Sequence, residues 1–437
     1  MTPGASSDQR RAGSVKGLAV LCLTGAAIVW LAIAAVSPGY VADIESRKAR
    51  SKWVTEEGIE NAYRMRIDYP PGNLYLFKAV GHLYQSTADS QYDRRQAAAS
   101  QYLTFLLKLP PILFHFLTAF AVYAFSRRFG DRRALLAGGI LLFDPAAIWN
   151  VAHQGQYDPV HTFFAIVAVL GLASGRLWLA GLAIGLAAAT KPQAWILIPL
   201  VAAYAWRLGR WTGLFRSAAA AAAAVALVLA PFAVSGRLPH LLRLPEYMNT
   251  NSTANHVISA NAHNLWWLPT LLAGRWVDDS ELLLGMVEYR WVGAALVVAV
   301  LAVCLRSVLK ETTMPQPALL AATLGAGWFF FTPRAHEYHA FFVLPFLALA
   351  LAERISLLPI YILASLSLLA NLVLHDPVAL GSLASPPTPE TLAPLWLVVA
   401  ELANVSSFLA LFVLLAARLK APAVNLLAAA KPALADP

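Results

Sequence analysis

Charge is what this sequence has least of. Asp, Glu, Lys and Arg make up 13% of its 437 residues, about half the usual share in a soluble globular chain. Hydrophobic residues make up 59%, more than a water-soluble protein of this length can bury. That composition excludes a disordered chain, collagen and a coiled coil. Cysteine is nearly absent: Cys22 and Cys304 each lie inside an apolar run. With no CxxC pair and no Cys/His cluster of zinc spacing, neither a disulfide framework nor a thiolate metal site is supported. The chain has no internal repeat, including the matched halves of many secondary transporters. It also has no ring-forming filter motif and no arginine-spaced voltage helix, so the pattern is not that of a channel. What remains is an all-α polytopic membrane protein.

Twelve apolar runs cover approximately 17–37, 102–125, 133–150, 160–174, 176–190, 193–206, 217–234, 288–307, 318–332, 340–352, 355–374 and 392–417. At ~20 residues per span, twelve spans use about 240 residues and leave roughly 200 for connections. The net charge of +9 would raise the question of nucleic acid in a soluble chain. Here the basic residues flank apolar runs and report orientation instead. Arg10, Arg11 and Lys16 precede the first run, which ends without a small-residue cleavage site, so a retained helix is expected. With that end cytoplasmic, the inside connections carry Arg127, Arg128, Arg132 and Arg133, then Arg176, then Arg207, Arg210 and Arg216. Later ones carry Arg306 and Lys310, then Arg354, then Arg418 and Lys420. Every short inside connection is basic, which predicts about twelve transmembrane helices with both ends inside. The expected organisation is a cytoplasmic tail over 1–16, a polytopic domain over 17–417 and a cytoplasmic tail over 418–437.

Two connections are long, 37–101 and 235–287, and both are expected outside. Loops of that length are usually functional or disordered. These carry Trp53, Tyr63, Tyr69, Tyr75 and Tyr84, and Trp266, Trp267 and Trp276, which does not suit disorder. The stretch Gly72–Tyr84 has the pattern of an amphipathic helix lying on the membrane surface.

Polar residues cluster on the same expected side. Asp43-Ile44-Glu45-Ser46-Arg47 opens the first long connection. Two carboxylates beside a cation can position a hydroxyl or a metal, or they are simply solvated loop charge. Asp68-Tyr69-Pro70-Pro71-Gly72 bars a helix until after Pro71 and reads as a rigid lead into the surface helix. His153-Gln154-Gly155-Gln156-Tyr157-Asp158-Pro159 fills a short connection. It carries more hydrogen-bonding groups than a helical hairpin needs. Lys191 interrupts an apolar stretch; it either snorkels outward or holds an anion in a cavity. Asn264-Leu265-Trp266-Trp267 is an interface anchor or part of a site. Pro333-Arg334-Ala335-His336-Glu337-Tyr338-His339 crowds an arginine, two histidines and an acid into one turn. A site for phosphate or another anion is its natural physical reading. Shared sidedness points to an external cavity that handles something charged close to the lipid.

Taken in order, these residues resemble the GT-C superfamily of polyprenyl-phosphate-sugar-dependent glycosyltransferases. The nearest likenesses are the dolichyl-phosphate-glucose-dependent glucosyltransferases of N-glycan assembly, the GPI mannosyltransferase catalytic subunit and their bacterial relatives. The eukaryotic glucosyltransferases carry an acidic D-x-E-x-x-R-type motif after the first helix. Here Asp43, Glu45 and Arg47 read one residue shorter, with Trp53 further on. The family's DYPP with a following tyrosine corresponds to Asp68, Tyr69, Pro70, Pro71 and Tyr75. Its histidine-glutamine-aromatic turn corresponds to His153, Gln156, Tyr157 and Asp158, and its lysine after a small-residue helix to Lys191. Its Asn-aromatic-Trp segment corresponds to Asn264 and Trp266, and its HE turn to His336 and Glu337. The resemblance covers roughly residues 17–375. The compressed first motif and the Gln154-Gly155 after His153 bear on the sugar and the acceptor more than on the reaction class. The Ala-rich composition and short loops suggest a bacterial relative.

The resemblance implies a helical membrane enzyme with an external active site. A polyprenyl-phosphate-linked hexose enters from the bilayer, an acceptor hydroxyl attacks the anomeric carbon with inversion, and polyprenyl phosphate leaves. A carboxylate must take the acceptor proton, and Asp43 is the expected base. Arg334, His336 and Lys191 are expected to stabilise the leaving phosphate, while His153, Gln156 and Asp158 orient sugar hydroxyls. Glu45, Arg47, Tyr69, Asn264, Trp266 and Glu337 complete the expected substrate-binding set. The implied partners are the lipid-linked donor, membrane lipids and a glycan, lipid-linked glycan or protein acceptor, with no nucleic acid. No cofactor is expected beyond the donor as co-substrate. Asp43 and Glu45 offer oxygen ligands for a divalent ion, but two carboxylates are too few to specify one. The expected location is a bacterial cytoplasmic membrane with the site facing the periplasm or exterior. The rival reading is a lipid-linked-sugar flippase or solute transporter, which predicts broken midplane helices and paired repeats. A non-catalytic assembly subunit is a third.

Overall fold

The computed structural model of the chain describes the backbone over residues 4–250, 256–310, 315–381 and 394–419, and side chains over 17–248, 256–310, 315–381 and 394–419. Each of the twelve apolar runs is mostly helical over its described residues. Among the described residues, seven stretches are long and apolar enough to cross a membrane: Gly17–Val36, Gln101–Phe129, Asp131–His153, Pro192–Val234, Tyr289–Lys310, Ile355–Leu374 and Leu395–Arg418. Shorter apolar helices span Asp158–Ala173, Leu177–Ala188 and Pro317–Phe331, and another spans Val343–Glu353. Pro192–Val234 takes in two of the runs, because Arg210, at φ 49°, breaks its helix between them. The chain is an all-α polytopic membrane protein. Most of the expected tail over 418–437 lies outside the described residues, and the expected tail over 1–16 is helical from Gly4.

Burial sorts these helices. A helix that is apolar all round belongs inside a bundle. In Val343–Glu353 every residue from Val343 to Ala352 is buried, and Pro317–Phe331 is nearly as enclosed. The outer helices turn Leu21, Ile28, Leu227, Val234, Val298 and Val413 outward, the surface that hydrocarbon would cover.

The first long connection is itself largely helical. Only Ser37–Tyr40 separates the first helix from a second, Val41–Glu56; a 3-10 turn, Ile59–Met65, leads to Gly72–Thr87, the expected surface helix. Val54, Tyr63, Phe77, Tyr84 and Tyr92 give this region its own core, packed on Leu103, Leu106 and Leu107. The start of the connection is pinned by the fully buried Lys108, whose Nζ donates to the Ser37 carbonyl at 2.8 Å, and by the Gln101 amide, which donates to the same oxygen at 2.9 Å.

The second long connection holds most of the extended structure. Strand β1 (Ser259–Ala260) runs parallel to β4 (Ala335–His336), in register Ser259 to Ala335 and Ala260 to His336. Strands β2 (Leu282–Leu283) and β3 (Val287–Glu288) form a short antiparallel hairpin.

Candidate active site

The helix Val41–Glu56 places Asp43 and Arg47 one turn apart on one face, where side chains at i and i+4 meet. Arg47 Nη2 donates to Asp43 Oδ2 at 3.0 Å and to Gln156 Oε1 at 2.7 Å, and Nη1 donates to the Gly155 carbonyl at 3.0 Å. The Gln156 amide donates in turn to Asp43 Oδ2 at 2.6 Å. Gly155 sits at φ 81°, a conformation that favours glycine, and a Cβ there would stand 3.0 Å from Ile44 Cδ1. Burial resists ionisation of Asp43, but the Arg47 charge and the Gln156 hydrogen bond outweigh it and hold the carboxyl below the usual range. The result is a half-buried carboxylate, already charged and fixed in orientation.

Asp43 and Arg47 open onto a cavity of about 490 Å³, which Arg50, Arg66, Asp68, Tyr69, His336 and Tyr338 also line. A second cavity of about 790 Å³ is lined by Lys191, Arg334, Trp195, Trp328, Met248 and His339, among others. The two cavities share Asp68, Tyr69, His336 and Tyr338 in their walls. One is framed by charge; the other combines two cations with aromatic and apolar walls.

The DYPP segment does more than lead into a helix. Asp68 pairs with Arg50 at 2.9 Å, and the Arg50 guanidinium lies 4.8 Å from the centre of the Tyr69 ring. The Gly72 amide donates to the Ala189 carbonyl at 2.7 Å, and a Cβ on Gly72 would stand 2.6 Å from Thr190 Oγ1. This close approach docks the end of the DYPP segment, at Gly72, against the turn that ends in Lys191. Lys191 does not snorkel. It is buried, donates to Asp158 Oδ1 at 2.9 Å and lies 4.8 Å from the centre of the Tyr338 ring. Arg334, at φ 62°, pairs through Nε with the buried Asp279 carboxylate.

His336 stands in the shared wall. Burial pushes its imidazole down to about 4, with Asp43 opposing and Lys191 adding to the depression. A neutral ring leaves the positive charge to Lys191 and Arg334 in the larger cavity and to Arg47, Arg50 and Arg66 in the smaller one. Burial also pushes the Glu337 carboxyl up to about 8, against its own backbone amide and with the help of Asp43, Asp158 and Asp376.

Asp43, Arg47, Tyr69, Lys191, Arg334 and His336 thus line the two cavities, with Gln156 and Asp158 bonded directly behind Asp43 and Lys191. The remaining expected residues lie elsewhere. Glu45 is exposed and lines neither cavity. His153 Nε2 meets Asp376 Oδ2 at 3.0 Å, and its Nδ1 meets Ser37 Oγ at 2.9 Å, which ties three segments together behind the site. Asn264 donates to the carbonyls of Phe329 and Thr332, and the Trp266 indole donates to that of Phe331 at 2.7 Å. These two residues fasten the second long connection to the end of Pro317–Phe331. Glu337 is buried and lines neither cavity.

The sequence reading missed Arg50, Tyr338 and Trp328 as lining residues, and Asp376 and Asp279 as partners. Arg50 carries a signal: it lies one turn beyond Arg47 on the same helix. Asp376 and Asp279 carry none, since they lie 223 and 55 residues from the groups they hold.

The comparison with curated proteins finds no match. The sequence model of glycosyltransferase family 87 matches residues 69–333. That range takes in Tyr69, His153, Gln156, Asp158, Lys191, Asn264 and Trp266; Arg334, His336 and Glu337 lie just beyond its end, and Asp43, Glu45 and Arg47 lie before its start. It spans more than half of the chain. With the helical membrane architecture, this places the protein among the GT-C-like membrane glycosyltransferases: the chain belongs to glycosyltransferase family 87.

Proposed function

We propose that this protein transfers a hexose from a polyprenyl-phosphate-linked donor to an acceptor hydroxyl, with inversion at the anomeric carbon. The observation that carries this reading is the pairing of the two cavities across a shared wall. A charged carboxylate, Asp43, faces one cavity; Lys191 and Arg334 face the other, beside Trp195 and Trp328. The acceptor hydroxyl loses its proton to Asp43, and its oxygen forms the bond to the anomeric carbon as the bond to the phosphate oxygen breaks. Charge gathers on the departing phosphate, where Lys191 and Arg334 oppose it. Tyr69, His336 and Tyr338 line the boundary at which sugar and acceptor would meet. The apolar flank of the larger cavity fits a prenyl chain.

The organisation that goes with this chemistry has residues 1–16 and 418–437 as cytoplasmic tails on a polytopic domain over 17–417. The site faces the exterior of a bacterial cytoplasmic membrane. The acceptor is a glycan, a lipid-linked glycan or a protein, and the donor is the only co-substrate. Incubating the purified protein with radiolabelled polyprenyl-phosphate sugars tests the reaction, since a transferase releases the sugar from the lipid phosphate and a transporter does not. Single cysteines at the exposed positions 90 and 284 should be labelled from outside intact cells and those at 132 and 210 should not. Labelling at 210 but not at 284 overturns the orientation.

A further inference from the structure

A second cluster of ligand-type side chains lies away from both cavities. His263 comes from the second long connection, His375 from the turn after Leu358–Leu374, and Glu401 from Leu395–Arg418. All three are buried, at 0%, 2% and 2% exposure. One ligand atom from each lies within 4.8 Å of the other two. The two Nε2 atoms are 2.9 Å apart, a few tenths of an ångström short of the ~3.3 Å between two nitrogens of a tetrahedral zinc site.

The surroundings of these three residues also fit a ligand set. The Trp267 indole donates to Glu401 Oε2 at 3.3 Å, and the Trp267 ring packs against both imidazoles. The Asn404 carboxamide lies 2.8 Å from His263 Nδ1 and fixes that ring from behind. Outer partners of this kind orient ligating imidazoles and carboxylates.

We propose that His263, His375 and Glu401 bind one first-row divalent cation, zinc foremost, which clasps the second long connection to the bundle. Two imidazoles and a carboxylate form a donor set that suits zinc and disfavours magnesium and calcium. In the arrangement seen, Asn404 Nδ2 donates to the Ser367 carbonyl at 3.0 Å and to His263 Nδ1, so His263 carries its proton on Nε2, toward His375. The cation takes the place of that proton. The proton moves to Nδ1, and the Asn404 carboxamide turns over to accept it with its oxygen, giving up its bond to the Ser367 carbonyl. The clasp bears on the site through the backbone. His263 follows β1 by three residues, and β1 is paired with the Ala335–His336 strand that sets His336 in the wall between the cavities.

The test uses the full chain purified through a tag without histidines. Elemental analysis should find close to one zinc per chain, falling at least tenfold in His375→Gln and in Glu401→Gln. Wild-type protein stripped with a chelator should bind Co²⁺ with a visible d–d band, lose that band when Zn²⁺ is added, and bind neither Mg²⁺ nor Ca²⁺ there. Asn404→Asp, which gives Nδ1–H a permanent acceptor, should tighten Co²⁺ binding. Failure of stripped wild type to bind Co²⁺ or Zn²⁺ overturns the proposal even where a variant does not fold. Undiminished zinc in both folded variants overturns it too.

Discussion

The two long connections look alike in the sequence, aromatic-rich and far longer than a bundle requires, yet they do different work. The first brings chemistry: Asp43, Arg47, Arg50 and Tyr69 all reach a cavity. The second mainly braces. Its Asn264 and Trp266 are spent on the carbonyls at the end of Pro317–Phe331, its β1 is paired with β4, and its Asp279 holds Arg334. Only Pro245, Glu246 and Met248 of its described residues line the larger cavity. An aromatic-rich loop is thus no guide to which groups meet substrate. The distinction lies in what particular side chains are bonded to: Asp43 and Arg50 meet other side chains at the cavity edge, whereas Asn264 and Trp266 meet backbone groups at a helix end.

The largest expected effect tests the chemical half of this contrast. Asp43→Asn keeps the shape and can still accept from Arg47, but it removes the base. Turnover of a polyprenyl-phosphate sugar should fall by about 10²–10⁴-fold, with donor affinity retained. Measured single-turnover rates beside donor binding would separate the two. Full turnover would take the first connection out of the chemistry.

Next comes Arg334, where the two halves of the contrast meet. If the guanidinium opposes the donor phosphate, Arg334→Ala loses a charge-assisted contact of about 1.5–3 kcal/mol, a rise of roughly ten- to a hundredfold in donor KM. Arg334→Lys should recover only part, because the planar fork is lost. Asp279→Asn keeps the cation and weakens only the brace, so it should lower thermal stability more than donor affinity. Equal loss of donor affinity in all three variants would mean that Arg334 acts only as part of the brace.

A smaller effect is expected at Asn264. Removing its side chain leaves the carbonyls of Phe329 and Thr332 and the Trp266 amide without that partner. Asn264→Ala should cost about 1–3 kcal/mol of stability, read as a lower melting temperature in detergent, with donor and acceptor KM unchanged. A changed KM at unchanged stability would return Asn264 to the substrate site.

Much of this could be read from the sequence, for physical reasons. Helical segments at all twelve runs follow from apolar length, and the helix Gly72–Thr87 from its periodicity. Lys191, Arg334 and His336 stood out because ionisable groups are costly beside lipid, and Asp43 and Tyr69 through the motifs that carry the family resemblance. What could not be read is partnership across the chain. Lys191 could be assigned either outward or inward until its bond to Asp158, 33 residues away, decided it. The protonation of His336 could not be read either, because burial, which holds its imidazole neutral, is a property of the packed site. Asn264 and Trp266 were read as contacts to substrate because sequence shows a polar and an aromatic group but not the three helix-end carbonyls that they satisfy. The His263–His375–Glu401 cluster was invisible for the same reason: its members share no local spacing.

The smallest expected effect is the most discriminating for the first connection. In a loop, Asp43 and Glu45 would be near neighbours, and a shared role in holding a hydroxyl or an ion would be natural. The segment is instead helical from Val41, and residues two apart on a helix do not face each other. Asp43 turns to Arg47 and Gln156, while Glu45 is exposed. Glu45→Gln should therefore behave as a surface substitution, within about 0.5 kcal/mol in stability, and leave turnover within about twofold of wild type. A loss approaching that of Asp43→Asn would mean that both carboxylates reach the substrate, which requires the helix Val41–Glu56 to unwind when substrate binds. A circular-dichroism or hydrogen-exchange comparison with and without donor would then show that unwinding directly.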